Sequence, residues 1–203
     1  MKMSSLDRIL ILATGLLAAY QIVVGIDDLS TGPIIAYTIA FGVLLVALLL
    51  LIILGFDALE SPVVVVVSTI IPLSLSLGLV WEHLASLRIP YLVFAILGFV
   101  AVVLTRSAPI PAENRLPTIV IAIVHGISGI TIFLLPIVIA LQNEVRPAFS
   151  LVGVGGALIG MGGLLLSFLR TGRPILSRAA TLKVMPGLLL LMTICFVAGF
   201  KYG

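Results

Sequence analysis

The sequence predicts an all-α polytopic integral membrane protein, a seven-transmembrane-helix bundle with the N-terminus inside and the C-terminus outside. Three observations carry that expectation. Of 203 residues, 62% are hydrophobic and 9% are charged, against about 25% charged in a soluble domain. So few charges cannot cover a water-facing surface, and the bilayer is the expected solvent. The apolar residues fall into seven runs, 9–26, 33–55, 63–83, 89–105, 117–141, 149–170 and 182–200. Each approaches or exceeds the ~17 to 25 residues that cross ~30 Å of hydrocarbon as a helix. Basic residues divide unevenly between the two ends. Lys2, Arg8, Arg106, Arg115, Arg170, Arg173, Arg178 and Lys183 make eight on one side, and Arg88, Arg146 and Lys201 make three on the other. The richer side faces the cytoplasm by the positive-inside bias.

The first run, Ile9 to Ile26, follows Lys2 and Arg8 and superficially has the layout of a signal peptide. It is too long for an h-region, and Leu17-Ala18-Ala19 is a poor cleavage site, so a retained helix is expected. The second run is Pro33 to Gly55. The third, Val63 to His83, opens on five consecutive valines, which favour a strand in water. An isolated strand in hydrocarbon leaves its backbone unsatisfied, so helix is the expectation. The fourth run, Ile89 to Thr105, is the shortest. The fifth, Pro117 to Leu141, the third and the seventh, Leu182 to Phe200, contain Pro136, Pro72 and Pro186, which membrane helices tolerate. Connections are short, so residues 1–203 are read as a single transmembrane domain with sequential helices antiparallel. Tyr20, Tyr37, Trp81, Tyr91 and Tyr202 all fall toward the outer interface, where amphipathic rings are favoured.

The sixth run, Phe149 to Arg170, organises the rest. Gly153, Gly156, Gly160, Gly163 and Ser167 recur at alternating steps of three and four, which keeps them on one helical stripe. Gly156-x-x-x-Gly160 is the small-x-x-x-small device by which membrane helices approach closely. Ala122, Gly126 and Gly129 form a small face on the fifth run, and the short Gln142 to Ala148 connection predicts that the two faces meet.

Within that pair, His125 is the one ionisable side chain well inside the hydrocarbon, so it is the first candidate for cofactor binding. Histidine supplies an axial bond to haem, and glycines let a flat macrocycle approach. His83 lies at the other depth and cannot share one iron with His125, while Met161 is at a suitable depth but off the glycine stripe. A neutral histidine bonded to a carbonyl or hydroxyl of a neighbouring helix is the structural alternative. Tyr20, Gln21 and Tyr37, with Thr38, lie at similar depth and form a candidate polar pocket for a quinone headgroup or a small neutral solute. Trp81-Glu82-His83 shares a side with Asp27, Asp28 and Glu144, yet the spacing matches no metal motif, and no metal site is assigned. The only cysteine, Cys195, excludes an intrachain disulfide.

Gly126-Ile127-Ser128-Gly129 is similar to the G-x-S-G around the nucleophile of rhomboid intramembrane proteases. The resemblance covers these four residues. That family places its histidine base on a later helix, whereas no histidine follows Ser128, so catalytic residues are not assigned.

The functional expectation is a non-catalytic integral membrane subunit or scaffold of a larger complex, binding quinone, lipid or another hydrophobic cofactor such as haem. Charge-coupled transport places ionisable groups along its path, and soluble-substrate catalysis places paired carboxylates or an activated nucleophile there. A permease or channel for a small neutral solute is the alternative. The expected partners are the lipid bilayer and a membrane protein, either a different chain or a second copy of this one. The charge balance implies no nucleic acid.

Overall fold

The computed structural model describes residues 3–26, 29–108, 114–170 and 175–203. Lys2, Asp27, Asp28 and Arg173 lie outside the described residues. All regular structure among the described residues is helical: α1 Ser5–Val24, α2 Thr31–Leu54, α3 Pro62–His83, α4 Arg88–Ser107, α5 Leu116–Leu141, α6 Ser150–Arg170 and α7 Arg178–Tyr202, with short 3₁₀ turns between some of them. These are seven helices long and apolar enough to cross a membrane, consistent with a helical membrane bundle.

The helices overrun the apolar runs where polar residues cap them. α1 begins at Ser5 because Ser4 and Asp7 form a reciprocal capping box. The Ser4 hydroxyl accepts from the Asp7 amide at 3.2 Å, and the Asp7 carboxylate accepts from the Ser4 amide at 2.8 Å. α7 begins at Arg178 because the Ser177 hydroxyl accepts from the Ala180 amide at 3.2 Å. Two helices stop on glycines with positive φ, which side-chain-bearing residues rarely adopt, Gly25 at φ 71° after α1 and Gly55 at φ 75° after α2. Their amides donate to Gln21 and Leu51 carbonyls left open by the last turn.

Chain neighbours pack as α1 on α2, α2 on α3, α5 on α6 and α6 on α7. α3 also packs on α5, and α7 returns to α1, which closes a ring of six helices with α4 outside it against α3 and α5. The core inside the ring is built from Tyr37, Phe41, Leu44 and Leu48 of α2, Leu75 and Leu79 of α3, Ile132 of α5 and Met192, Phe196 and Phe200 of α7. A smaller cluster of Leu73, Ala95, Val102 and Val124 seats α4.

Small residues set the spacing around α6. A methyl group at Gly153 would stand 2.5 Å from the Phe133 carbonyl oxygen, and one at Gly156 would stand 2.8 Å from Ile132. No side chain fits there, so the α5 backbone rides directly on α6. On the α7 side, Gly155 receives the Phe196 ring, and Gly199 of α7 receives Val152. The stripe is not filled along its length. Nothing among the described residues lies within 4 Å of a methyl placed at Gly160 or Gly163, nor at Gly126 or Gly129 on α5. The face expected to pair with the stripe is therefore not what fills it. The short α5–α6 connection sets Phe133 and Ile137, rather than Gly126 and Gly129, opposite Gly153, and the two helices stand apart beyond that crossing.

Candidate functional site

The end of the bundle where α1, α3, α5 and α7 finish, the distal end, gathers polar and aromatic side chains. α2 and α3 are fastened there by two complementary seats. The Trp81 indole of α3 lies over Gly32 of α2, and the Tyr37 ring of α2 lies over Gly78 of α3. In each case a β-carbon would meet the ring at 3 Å or less, so the aromatic takes the space that the glycine leaves. Ser30 donates to the Glu82 carboxylate at 3.2 Å, and the Arg88 guanidinium donates to the Trp81 carbonyl. A seam of rings continues across the bundle, Tyr37 to Phe200 at 4.7 Å, Phe200 to Phe149 at 6.0 Å and Phe149 to His83 at 5.4 Å, all within the range of offset and edge-to-face attraction.

Beside this seam, between α1 and α2, lies a cleft lined by Gln21, Tyr37, Thr38 and apolar neighbours. Gln21 is buried because the last turn of α1 faces α2. Its amide nitrogen donates to the Gly25 carbonyl at 2.8 Å, and since a carbonyl only accepts, the amide oxygen is the atom left over. Tyr37 is buried to 4% exposure and Gln21 to 5%. The Tyr37 hydroxyl and the Gln21 amide oxygen have no hydrogen-bond partner among the described residues. Glu82 is close enough to act on Tyr37 electrostatically. The enclosed part of the cleft has room for about one water-sized group. A second gap, deeper among Phe41, Leu44, Leu75 and Phe196, is apolar and too narrow for water.

The structure thus brings Gln21, Tyr37 and Thr38 together and leaves Tyr20 out. One residue along α1 is a rotation of about 100°, which turns Tyr20 toward α7, where its hydroxyl accepts from the Lys201 ammonium at 2.9 Å. Gly32 and Gly78, the seats that hold the distal end, go unnoticed in the sequence because each stands alone. The signal is a glycine opposite an aromatic residue on the antiparallel neighbour, which becomes visible once α2 and α3 are set in register.

His125 sits about two and a half turns into α5, half-buried, with Nδ1 donating to the Ile121 carbonyl at 3.1 Å on its own helix. In the neutral ring this leaves Nε2 as the lone-pair nitrogen, the atom that a metal or haem iron would take. Met161 is exposed on α6, and His83 is at the distal end against Phe149, so neither is placed as a second ligand. Gly126 and Gly129, beside His125 on α5, are half-buried, with nothing among the described residues within 4 Å of a methyl placed at either. Ser128 is fully buried, and its hydroxyl has no partner among the described residues. Among the described residues, no group of three or more His, Cys, Asp or Glu side chains is placed to hold a metal ion. Comparison with protein-family models, with curated proteins and with solved structures finds no match.

Proposed function

We propose that the chain is a non-catalytic integral membrane subunit or scaffold, inserted with its N-terminus inside, that joins a larger complex through the α5–α6 face. The observation carrying this reading is the unfilled part of the small-residue surface. Gly153 and Gly156 are consumed in packing α5 on α6, but Gly126, Gly129, Gly160 and Gly163 have open space where a side chain would be. Helix-interior glycine costs about 0.5–1 kcal/mol relative to alanine, and four glycines on α5 and α6 with open space at the β-carbon, two of them exposed, are best accounted for by a transmembrane helix of another chain that approaches there. Extraction of the tagged chain from its native membrane into lipid nanodiscs, with co-purifying proteins identified by mass spectrometry, tests the reading. A stoichiometric membrane partner, either another protein or a second copy, is the expected result. Recovery only as a monomer, by a method that preserves other complexes of the same membrane, counts against it.

The alternative, a permease or channel for a small neutral solute, is favoured by one observation, the partnerless hydroxyl and amide oxygen in the α1/α2 cleft. Solute flux in liposomes reconstituted with the isolated chain would support the permease over the scaffold. A membrane impermeable to small polyols and amides despite incorporated protein would remove it.

A further inference from the structure

We propose that the cleft between α1 and α2 binds the free hydroxyl group of a neutral lipid, which accepts a hydrogen bond from the Tyr37 hydroxyl and donates one to the Gln21 amide oxygen. This site is separate from the α5–α6 face and does not depend on the subunit reading.

Four observations converge on it. First, the two polar atoms belong to side chains that are 4% and 5% exposed, and each lacks a partner among the described residues. Ser128 and Arg106 carry the buried side-chain atoms without a partner among the described residues; the Tyr37 hydroxyl and the Gln21 amide oxygen are not among them, so both can be reached by a bound group that would satisfy them. Second, the two atoms are complementary in kind. The phenol can donate, and the amide oxygen can only accept; one N–H of the amide donates to the Gly25 carbonyl at 2.8 Å, which fixes which way the amide points. A hydroxyl both accepts and donates, so one such group answers both; a ketone or ether oxygen answers only Tyr37.

Third, the partly open cleft has room at its inner end for about one water-sized group, which fits a hydroxyl better than a ring or a phosphate. Fourth, apart from Thr38 and Gly25 the remaining walls are hydrocarbon. Ile22, Ile26 and Phe41 line the cleft, Ile34 at its rim is 42% exposed, and none of the lining residues among the described ones is charged. A polar end of hydroxyl size with uncharged, apolar walls is matched by a neutral amphiphile whose hydroxyl enters and whose chain lies along the isoleucines. The Tyr37 ring is held by Gly78 on one side and by Phe200 at 4.7 Å, so the donor is fixed in place before any ligand arrives.

The test uses the full chain in phosphatidylcholine nanodiscs doped with 1,2-dioleoylglycerol, which has one free hydroxyl, or with trioleoylglycerol, which has none. Occupancy is read by native mass spectrometry. Glycerol in the bulk phase, followed by saturation-transfer NMR, is the arm for a free small alcohol. The expected result is one dioleoylglycerol per chain, little trioleoylglycerol, and a loss of affinity of about tenfold in each of Tyr37→Phe and Gln21→Leu, as for one hydrogen bond. Ile34→Trp blocks the rim without altering either polar group, so it is expected to lose binding while keeping the wild-type melting temperature. Glycerol binding that is lost in the same variants would also support the site, with its hydroxyl supplied from solution. Equal occupancy by the two acylglycerols, binding undiminished in Tyr37→Phe and Gln21→Leu, or no binding of either dioleoylglycerol or glycerol would overturn the proposal.

Discussion

Ser128 is fully buried on α5 with an unsatisfied hydroxyl, while Thr14, Thr69, Thr131 and Thr193 each donate to the carbonyl one turn back. An orphaned buried hydroxyl costs about 1–3 kcal/mol, so Ser128→Ala is expected to leave the isolated chain as stable as wild type or up to about 1 kcal/mol more stable. Unfolding followed by circular dichroism in mild detergent measures this, and a loss above about 1 kcal/mol would mean that the hydroxyl has a partner. At the same scale, Gln21 and Tyr37 are legible in the sequence as residues of similar depth on adjacent helices. Tyr20 is not separable from them by depth, because only the azimuth around α1 decides that it turns to Lys201. For His125 the sequence points to a carbonyl or hydroxyl of a neighbouring helix, whereas the ring bonds the Ile121 carbonyl of its own helix, because the rotamer that turns Nδ1 back one turn is not encoded in spacing.

For the helical elements, the two halves of the α6 stripe make opposite forecasts. Gly153→Ala and Gly156→Ala force a methyl against the α5 backbone, and each is expected to destabilise the isolated chain by about 1–3 kcal/mol. Gly160→Ala and Gly163→Ala meet open space and gain helix propensity, so each is expected to be neutral or to stabilise by about 0.5–1 kcal/mol. Chemical unfolding of the four variants under one condition checks the contrast, and equal effects in both halves would refute the packing described. Spacing alone places all these glycines on one stripe. It does not say where along the stripe the neighbouring helix crosses, because the crossing is set by the bulk of Ile132, Phe133 and Ile137 on the partner. Helix number and approximate bounds are legible because each span must be apolar and long enough. The starts of α1 and α7 are not, since Ser4, Asp7 and Ser177 are polar caps that hydropathy counts as loop.

Across the whole molecule, seven apolar helices close into a ring of six with α4 outside. The ring order follows partly from short connections, but the return of α7 to α1 and the step from α3 to α5 rest on side-chain fit that is not local in sequence. The proposed orientation rests on eight basic residues against three. It is checked with an impermeant thiol reagent on intact cells, and the native Cys195 is buried. Ile175→Cys, in an exposed position before α7, should stay unlabelled, while Tyr202→Cys at the other end should react; the reverse pattern would invert the topology.

The central claim is that the open glycines of α5 and α6 receive another transmembrane helix, and the most direct measurement compares the wild-type chain with the Gly160→Leu/Gly163→Leu variant. Both are purified from native membranes in nanodiscs, and each is assayed for bound partner and for thermal stability. A β-carbon at either position meets nothing within 4 Å among the described residues, and leucine favours helix over glycine, so loss of the stoichiometric partner is expected with the chain's own melting temperature unchanged or raised. Retention of the partner by the double variant, or a wild-type chain that carries no partner to lose, would contradict it.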